Sequence, residues 1–221
     1  MDRLICFICL MAGYFFGCIQ TAYIIGKIKH IDIRKQGSGN LGATNATRVL
    51  GNFWGIFTAV CDILKVFLAE YVIYLILICG IGYTEVDRIT LFLYIGFGVV
   101  IGHNFPFYLH FKGGKGVAAS AAALISLWDL KMIIIGVIIF FGICFATRYV
   151  SLASMTLIAS ELIIFIILTQ SGNIILRQRY TADCYIIVAL MAFLVIFQHR
   201  DNIARLTEGC ERRFSFHRKE K

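Results

Sequence analysis

Long apolar segments alternate with short polar ones along almost the whole chain. Residues 4–26 and 89–111 contain no Asp, Glu, Lys or Arg, and a helix needs about 20 such residues to cross a bilayer core. The predicted set of about seven transmembrane helices is Leu4–Gly26, Asn52–Ile81, Ile89–Phe111, Val117–Trp128, Met132–Thr147, Ser151–Leu168 and Thr181–Gln198. The pattern predicts an all-α, polytopic integral membrane protein in which residues 1–221 form a single membrane-embedded domain.

Composition excludes a water-soluble globule. Hydrophobic residues make up 59% of the chain and charged residues only 15%, whereas soluble domains average about 25% charged. The net charge of +8 could indicate nucleic acid as a partner, but the basic residues lie between apolar segments rather than on a soluble face. Membrane lipid is therefore the expected partner, and nucleic acid is not.

The basic residues also predict sidedness. With the N-terminus outside, residues 27–51, 112–116, 147–151 and 199–221 lie on the cytoplasmic side, and these segments hold most of the Lys and Arg residues. Positive charge is enriched in cytoplasmic loops of membrane proteins. We therefore predict an outside N-terminus and a cytoplasmic C-terminus, with every unusual loop on the cytoplasmic face.

The first such loop is rich in glycine. Its glycines allow backbone N–H groups to converge on an anion, and the spacing also fits a dinucleotide fingerprint, which we reject because no strand precedes it. A polar turn between helices is the alternative interpretation. The favoured interpretation is a phosphate site formed by Ser38, Gly39, Asn40, Gly42, Thr44, Asn45 and Arg48.

A second basic loop follows Pro106, the only proline, which should kink or end the third helix. Its residues Lys112, Gly113, Gly114, Lys115 and Gly116 place two lysines around a glycine pair. We predict that the lysines and the amides of the pair hold a second phosphate. The alternative is a re-entrant bend anchored by two snorkelling lysines. His103, just before this loop, is interpreted as a structural hydrogen-bonding residue.

Two later segments add candidate residues. Ser151 either caps the following helix or binds a ligand. His199, Asn202 and Arg205 recur every three residues and would lie near one face of a helix, although a basic juxtamembrane helix has the same pattern. Glu211 follows.

Charged residues also occur within a predicted span. Asp62 and Lys65 lie one turn apart in the second predicted helix, and we predict a structural ion pair that steadies the first loop. The five histidines are scattered and no carboxylate cluster is present, so no metal site is expected.

These elements, in this order, resemble one family: the bacterial acyl-phosphate:glycerol-3-phosphate acyltransferases. The resemblance covers essentially the whole chain, with small departures at Val66 and Ala119. It rests on Asp32-Ile33-Arg34, Gly37–Asn45 with Arg48, Asp62 with Lys65, Gly102-His103 through Ala118, Arg148-Tyr149 with Ser151, and His199–Leu206 with Gly209 and Glu211.

The resemblance implies a seven-helix enzyme of phospholipid synthesis in the bacterial cytoplasmic (inner) membrane. It would transfer a fatty acyl group from acyl phosphate to the sn-1 hydroxyl of glycerol 3-phosphate, releasing lysophosphatidate and inorganic phosphate, without a cofactor. The soluble enzyme that makes acyl phosphate is a further expected partner. A transporter for an organic phosphate is the alternative function, although all the anion loops gather on one face.

We hypothesise that Arg48, Lys115, His199 and Asn202 are the catalytic residues. Ser151, Arg205 and Glu211 would bind substrate together with the two glycine loops. His199 has the unperturbed pKa best suited to a general base, but the phosphate of the substrate could serve instead. The sequence leaves that choice open.

Overall fold

A computed structural model of the protein describes residues 3–82, 84–127 and 129–214. Trp128, the predicted end of the fourth span, and the basic residues at 218–221 lie outside these ranges. Within them the chain is all-α, as predicted, and an eight-residue π-helical turn, Tyr74–Ile81, continues one helix. The α-helices are α1 Arg3–Gly17, α2 Thr21–Ile28, α3 Ala43–Leu50, α4 Asn52–Ile73, α5 Glu85–Asn104, α6 Val117–Ile125, α7 Leu130–Thr147, α8 Val150–Gln170, α9 Thr181–Gln198 and α10 Arg200–Thr207.

Helix boundaries follow from local chemistry. Thr84 and Asp87 form a capping box at the start of α5, and the Asp129 carboxylate accepts the N–H groups of Lys131 and Met132 at the start of α7. At its other end α5 stops at Asn104, two residues before Pro106. The prediction that this proline ends the third helix is thus confirmed.

Helices α1 and α5 cross in close contact because glycines lie at the crossing on both helices. Gly13 and Gly17 on α1, and Gly98 and Gly102 on α5, repeat at intervals of four residues, a spacing that allows helices to approach in membranes. A Cβ atom at Gly98 would overlap the carbonyl oxygen of Leu10. The two backbones therefore meet without a side chain between them, and α1 is fixed against α5.

The core lies around α5, which packs against α1, α4, α6 and α9. Val99 and Val100 on α5 are fully buried there. At the edge of the bundle, α7 packs chiefly against α8 and exposes large apolar side chains such as Ile138, Phe141 and Phe145. An apolar helix with its outer face uncovered is what lipid contact requires.

Among the described residues, five helical segments are long and apolar enough to cross a membrane: Arg3–Ile28, Asp87–Leu109, Leu130–Thr147, Val150–Gln170 and Gln178–Gln198. Of the other two predicted spans, α4 carries Asp62, Lys65 and Glu70, and α6 has only nine residues. The first predicted helix is divided into α1 and α2. A multi-span membrane protein is therefore supported, while the count of seven and the sidedness stay predictions.

The break between α1 and α2 is held by a buried ion pair. The Lys65 ammonium donates to Asp62 Oδ1 at 2.8 Å and to the carbonyl oxygen of Ile19 at 3.1 Å, and it lies 3.4 Å from the carbonyl oxygen of Gly17. The predicted structural pair is thus present. It steadies the α1–α2 break, where unpaired carbonyls need donors, rather than the glycine loop that we expected it to support.

Candidate functional site

The first glycine loop is organised by the side chain of Asn45. Its Oδ1 accepts the N–H of Ser38 at 2.8 Å, and its Nδ2 donates to the carbonyl of Asn40 at 3.0 Å and to that of Gln36 at 3.2 Å. Asn45 is buried, and each of these contacts lies within the loop. Its predicted role in phosphate binding therefore gains no support from these contacts, whereas a role in shaping the loop does.

Asn40 joins the first loop to the second. Its Oδ1 accepts the N–H of Gly42 at 2.9 Å, and its Nδ2 lies 3.4 Å from the carbonyl oxygen of Gly113. Gly113 lies 73 positions after Asn40 in the chain. The structure thus brings together the two loops that the sequence analysis selected.

The amides of the glycine pair in the second loop are already occupied. The N–H of Gly113 donates to the carbonyl of Asn104 at 3.0 Å, and that of Gly114 donates to the carbonyl of His103 at 2.9 Å. We predicted that these two N–H groups hold a phosphate. The observed hydrogen bonds argue against that role, because an N–H group has a single proton to donate.

The free backbone donors lie just beyond the pair. In the described part of the chain, no hydrogen bond uses the N–H groups of residues 115–119, which include the first turn of α6. Gly116 has a φ of +76° in the left-handed region, a conformation that glycine adopts without strain. Such a helix start, with several free N–H groups and a partial positive charge, attracts phosphate.

Glu211 connects the two later candidate segments, one with Ser151 and the other with Asn202 and Arg205. Its Oε1 accepts from Asn202 Nδ2 at 2.6 Å and from Ser151 Oγ at 2.9 Å, and its Oε2 accepts from Arg205 Nε at 2.8 Å. Burial alone would raise the pKa of Glu211, but these hydrogen bonds hold the pKa below its ordinary value. The carboxylate therefore stays charged, and its contacts assign it to organising the site rather than to binding an anion.

Ser151 does not cap the following helix, and its role in ligand binding stays a prediction. Helix α8 begins at Val150 and its capping position is Tyr149, so Ser151 lies inside the first turn. Its hydroxyl donates to Glu211 instead.

Lys115, Arg48 and Arg205 form a basic cluster, in which Lys115 Nζ donates to Asn202 Oδ1. Burial lowers the pKa of Lys115 from 10.5 to about 8; the carboxylate of Glu211 opposes this, while Arg205 and Arg48 add to it. The three cations therefore lie close enough to influence one another. Glu211 pairs with Arg205, so the charges of Lys115 and Arg48 are the ones left to attract a further anion.

His199 is buried beside this cluster. Its Nδ1 lies 2.7 Å from the carbonyl oxygen of Val195, and because a carbonyl only accepts, Nδ1 carries the proton and Nε2 has a free lone pair. Burial and, to a smaller extent, the charge of Lys115 lower the pKa of His199 to about 4, against the opposing effects of Val195 and Glu211. The imidazole is therefore neutral near pH 7, as a general base must be.

Several predicted binding residues keep their side chains free. Within the described residues, no hydrogen bond or ion pair occupies the side chains of Ser38, Thr44, Arg48 or Lys112, and all but Thr44 are exposed. These groups are available to a ligand at the edge of the loops.

One polar group in the site was missed by the sequence analysis. The amide of Asn104 is fully buried at the end of α5, and neither its Oδ1 nor its Nδ2 has a hydrogen-bond partner in the part of the chain that the structure describes. A Cβ at Gly116 would lie 2.7 Å from its Oδ1. The available signal was a polar residue two positions before the proline that ends an apolar helix.

Comparisons with known proteins agree on one family. A family model described as "Glycerol-3-phosphate acyltransferase" matches residues 7–209. A protein of Macrococcus caseolyticus named glycerol-3-phosphate acyltransferase is 39% identical over 211 residues, which cover 94% of this chain and 96% of the relative. A protein of the same name from Thermosipho melanesiensis is 36% identical over 206 residues, covering 92% of this chain and 90% of the relative.

The fold is also similar to a solved structure. The crystal structure of PlsY, an integral membrane glycerol 3-phosphate acyltransferase, in its glycerol 3-phosphate form has a TM-score of 0.79 and 32% identity, covering 95% of this chain and 96% of that one. In its lysophosphatidic acid form the TM-score is 0.76, at 31% identity and 95% coverage of both chains.

Proposed function

The chain belongs to the glycerol-3-phosphate acyltransferase family, and on that basis we propose that it acylates the sn-1 hydroxyl of glycerol 3-phosphate with acyl phosphate as the donor. The observation that carries this proposal is the group of cations Arg48, Lys115 and Arg205 beside the free N–H groups at the start of α6. Both substrates carry a phosphate, and both kinds of donor bind phosphate well.

The proposed reaction needs no covalent enzyme intermediate, since acyl phosphate is an activated mixed anhydride. The sn-1 oxygen attacks the acyl carbonyl carbon, and the bond between that carbon and the phosphate oxygen breaks. The products are lysophosphatidate and inorganic phosphate. Holding two reactants in line can lower the barrier by about 7–11 kcal/mol in favourable cases, and a fixed donor at the developing oxyanion contributes about 3–4 kcal/mol more.

The proton of the attacking hydroxyl has two possible acceptors. His199 offers a free Nε2 lone pair and is neutral near pH 7. The phosphate of glycerol 3-phosphate is the other, because its second ionisation lies near pH 6, at about the value of other phosphate monoesters. We propose His199 as the base, with Lys115 and Asn202 stabilising the departing phosphate.

We further assign the two phosphates to different parts of the site. One would lie at the start of α6, with Lys115 and Gly116, and the other against Ser38, Thr44 and Arg48. Gly39, Asn40, Gly42, Asn45, Gly113 and Gly114 would shape the loops, and Ser151 and Glu211 would hold Asn202 and Arg205 in place. The contacts of Asn45, Gly113, Gly114 and Glu211 support this division.

We also propose seven spans, with an outside N-terminus and the loops on the cytoplasmic side of the bacterial inner membrane. The excess of Lys and Arg in alternate loops supports this sidedness. A cytoplasmic site would receive acyl phosphate from the soluble enzyme that makes it, while the acyl chain of donor and product stays among the lipids.

Acyl transfer by the purified protein in lipid tests the function. We expect lysophosphatidate to form from acyl phosphate and glycerol 3-phosphate, and not from acyl-CoA. Formation from acyl-CoA alone would overturn the donor assignment, and absence of product with every donor would overturn the enzyme assignment. The alternative of a phosphate transporter would then be tested by uptake into vesicles.

A further inference from the structure

His103 lies between the buried ion pair and the glycine pair of the second loop. On one side its Nδ1 is 2.7 Å from the Nζ atom of Lys65, and the carboxylate of Asp62 lies 3.5 Å from the same ring nitrogen. On the other side its ring faces Gly114. The histidine is 4% exposed, so a single buried ring joins the ion pair at the α1–α2 break to the second glycine loop.

The contact with Gly114 leaves no room for a side chain on that residue. A Cβ at Gly114 would overlap the His103 ring, and its three nearest neighbours would be the ring atoms Nε2, Cε1 and Cδ2. The N–H of Gly114 also donates to the His103 carbonyl. The histidine therefore fixes Gly114 through both its backbone and its ring.

The other side of the ring is fixed by Lys65. An ammonium group only donates, so His103 Nδ1 must accept and its proton is on Nε2. Lys65 is itself held by Asp62 and by carbonyls at the end of α1. The ring thus has one orientation, set by three helices, and that orientation determines where Gly114 can lie.

We propose that His103, held by Asp62 and Lys65, is a positioning residue that sets the second loop and so places Lys115 and the free N–H groups of α6 for phosphate binding. Lys115 directly follows Gly114 in the chain, and a shift of the loop would move its ammonium group relative to the substrate. The proposal rests on the proposed function, which supplies the phosphate-bearing substrate. His103 contacts the loop directly, Asp62 and Lys65 act through His103, and we assign none of the three to the reacting atoms.

A suppressor experiment tests the contact. We expect Gly114→Ala to raise the KM for glycerol 3-phosphate or acyl phosphate by about tenfold or more, because contacting residues couple strongly. His103→Asn keeps an acceptor near the position of Nδ1 for Lys65 but removes the ring atoms that face Gly114. In the His103→Asn background, Gly114→Ala should therefore change KM by only about threefold or less.

Gly113 provides the matched control. A Cβ at Gly113 would overlap the carbonyl oxygen of His103, a backbone atom that the substitution retains. Gly113→Ala should therefore change KM by the same factor whether residue 103 is histidine or asparagine. Equal penalties for Gly114→Ala in both backgrounds would overturn the proposal, and so would suppression of Gly113→Ala.

The ion pair is tested by removing both charges together, so that neither is left buried alone. We expect the double variant Asp62→Asn, Lys65→Met to raise the same KM by several-fold. Glu70→Gln is the control, because Glu70 is also buried on α4 and accepts from Ser126 Oγ at 2.8 Å. It should lower the melting temperature without changing KM. A double variant with unchanged KM would show that the pair has no part in positioning the loop.

The melting temperature separates this inference from the proposed function. Overlap at Gly114 should lower the melting temperature of Gly114→Ala, and His103→Asn should restore part of it, whether or not the protein transfers acyl groups. If the unmodified protein makes no lysophosphatidate, the proposed function fails while this comparison still tests the contact. If transfer is normal and no suppression occurs in either readout, the positioning role fails alone.

Discussion

Ser151 and Glu211 lie 60 positions apart in the chain, and a hydrogen bond of 2.9 Å joins Ser151 Oγ to Glu211 Oε1. The C-terminal segment reaches this position because the N–H of Phe214 donates to the carbonyl of Arg148 at 2.7 Å. The start of α8 and the segment after α10 are thereby tied together. Asn202 and Arg205 lie on α10 and share the same carboxylate, so one acidic side chain orients two predicted site residues.

Glu211→Gln should damage both the site and the fold. The amide retains the shape but loses the negative charge that Arg205 and Asn202 bind, and each hydrogen bond to a charged group contributes about 1.5–3 kcal/mol. We expect a lower melting temperature and a fall in kcat of at least about tenfold, which corresponds to 1.4 kcal/mol. Both are measured on the purified protein.

Glu208→Gln serves as its control, because Glu208 is exposed three residues before Glu211 in the chain. Removal of the Glu208 charge should leave the melting temperature and kcat nearly unchanged. Equal effects of the two substitutions would mean that general charge, and not the Glu211 contacts, determines the result.

Much of this arrangement could be predicted from the sequence, because local signals select the loops. Glycine spacing and basic residues identified both glycine loops, and Pro106 correctly predicted the end of α5. The role of Glu211 could not be predicted, since its contacts depend on how the chain end folds back. A carboxylate beside phosphate-binding residues carries no local signal that distinguishes an organising group from a ligand-binding one.

The glycine pair shows a second limit of the sequence. The sequence does not show whether a backbone N–H group is free or already hydrogen-bonded. The N–H groups of Gly113 and Gly114 were therefore expected to face a phosphate. Hydrogen bonds to the carbonyls of Asn104 and His103, which follow from the tertiary path of the chain, decide otherwise. The division of the first predicted helix into α1 and α2 was missed for a similar reason, because Lys65 stabilises the break from another helix.

Activity should fall at alkaline pH as Lys115 loses its proton. Burial lowers the pKa of Lys115 to about 8, so the ammonium group is present below that pH and is lost as the pH rises through it. We expect kcat/KM, which reports on the free enzyme, to decline above about pH 8. In Lys115→Arg the decline should move to higher pH, since arginine stays protonated.

Lys131→Arg is the comparison for this profile. Lys131 lies in the first turn of α7, where its Nζ donates to Asn173, away from the basic loops in sequence. Its substitution should leave the alkaline decline where it is. A decline that persists near pH 8 in Lys115→Arg would exclude Lys115 as its source.

The acidic limb of the rate profile distinguishes the two proposed bases. His199, with its pKa lowered to about 4, would lose activity only as the pH falls through that value and the ring becomes protonated. The substrate phosphate would instead give a limb near its second ionisation at about pH 6. We expect the acidic limb near pH 4. We also expect His199→Gln to lower kcat by a factor of about 10²–10⁴.

The test of His199 requires that the protein stays folded at every pH used. Circular dichroism at each pH shows whether the helices persist, so that acid unfolding is not mistaken for a catalytic limb. Near-normal kcat with a flat acidic profile in His199→Gln would exclude the histidine as base.

The α1–α5 crossing should be intolerant of even one added methyl group. A Cβ at Gly98 would overlap the carbonyl oxygen of Leu10, and overpacking of this kind typically costs about 1–3 kcal/mol. We expect Gly98→Ala to lower the melting temperature in detergent. Gly142→Ala on α7 is the control, because its added Cβ would meet no atom of another described element within 4 Å, and it should leave the melting temperature nearly unchanged. A similar fall in melting temperature in both variants would mean that alanine destabilises each helix by itself, and that the contact between α1 and α5 is not the cause.

Cys210 offers a direct test of the proposed sidedness. Of the cysteines whose side chains the structure describes, Cys210 is the exposed one, and it lies between α10 and Glu211, on the side that we assign to the cytoplasm. A membrane-impermeant maleimide should therefore label the protein in inverted membrane vesicles and not in intact cells. Cys210→Ser should abolish the labelling, which assigns the signal to this residue. Labelling of Cys210 in intact cells would place the C-terminal segment outside, and the basic loops would then face away from the cytoplasmic supply of acyl phosphate.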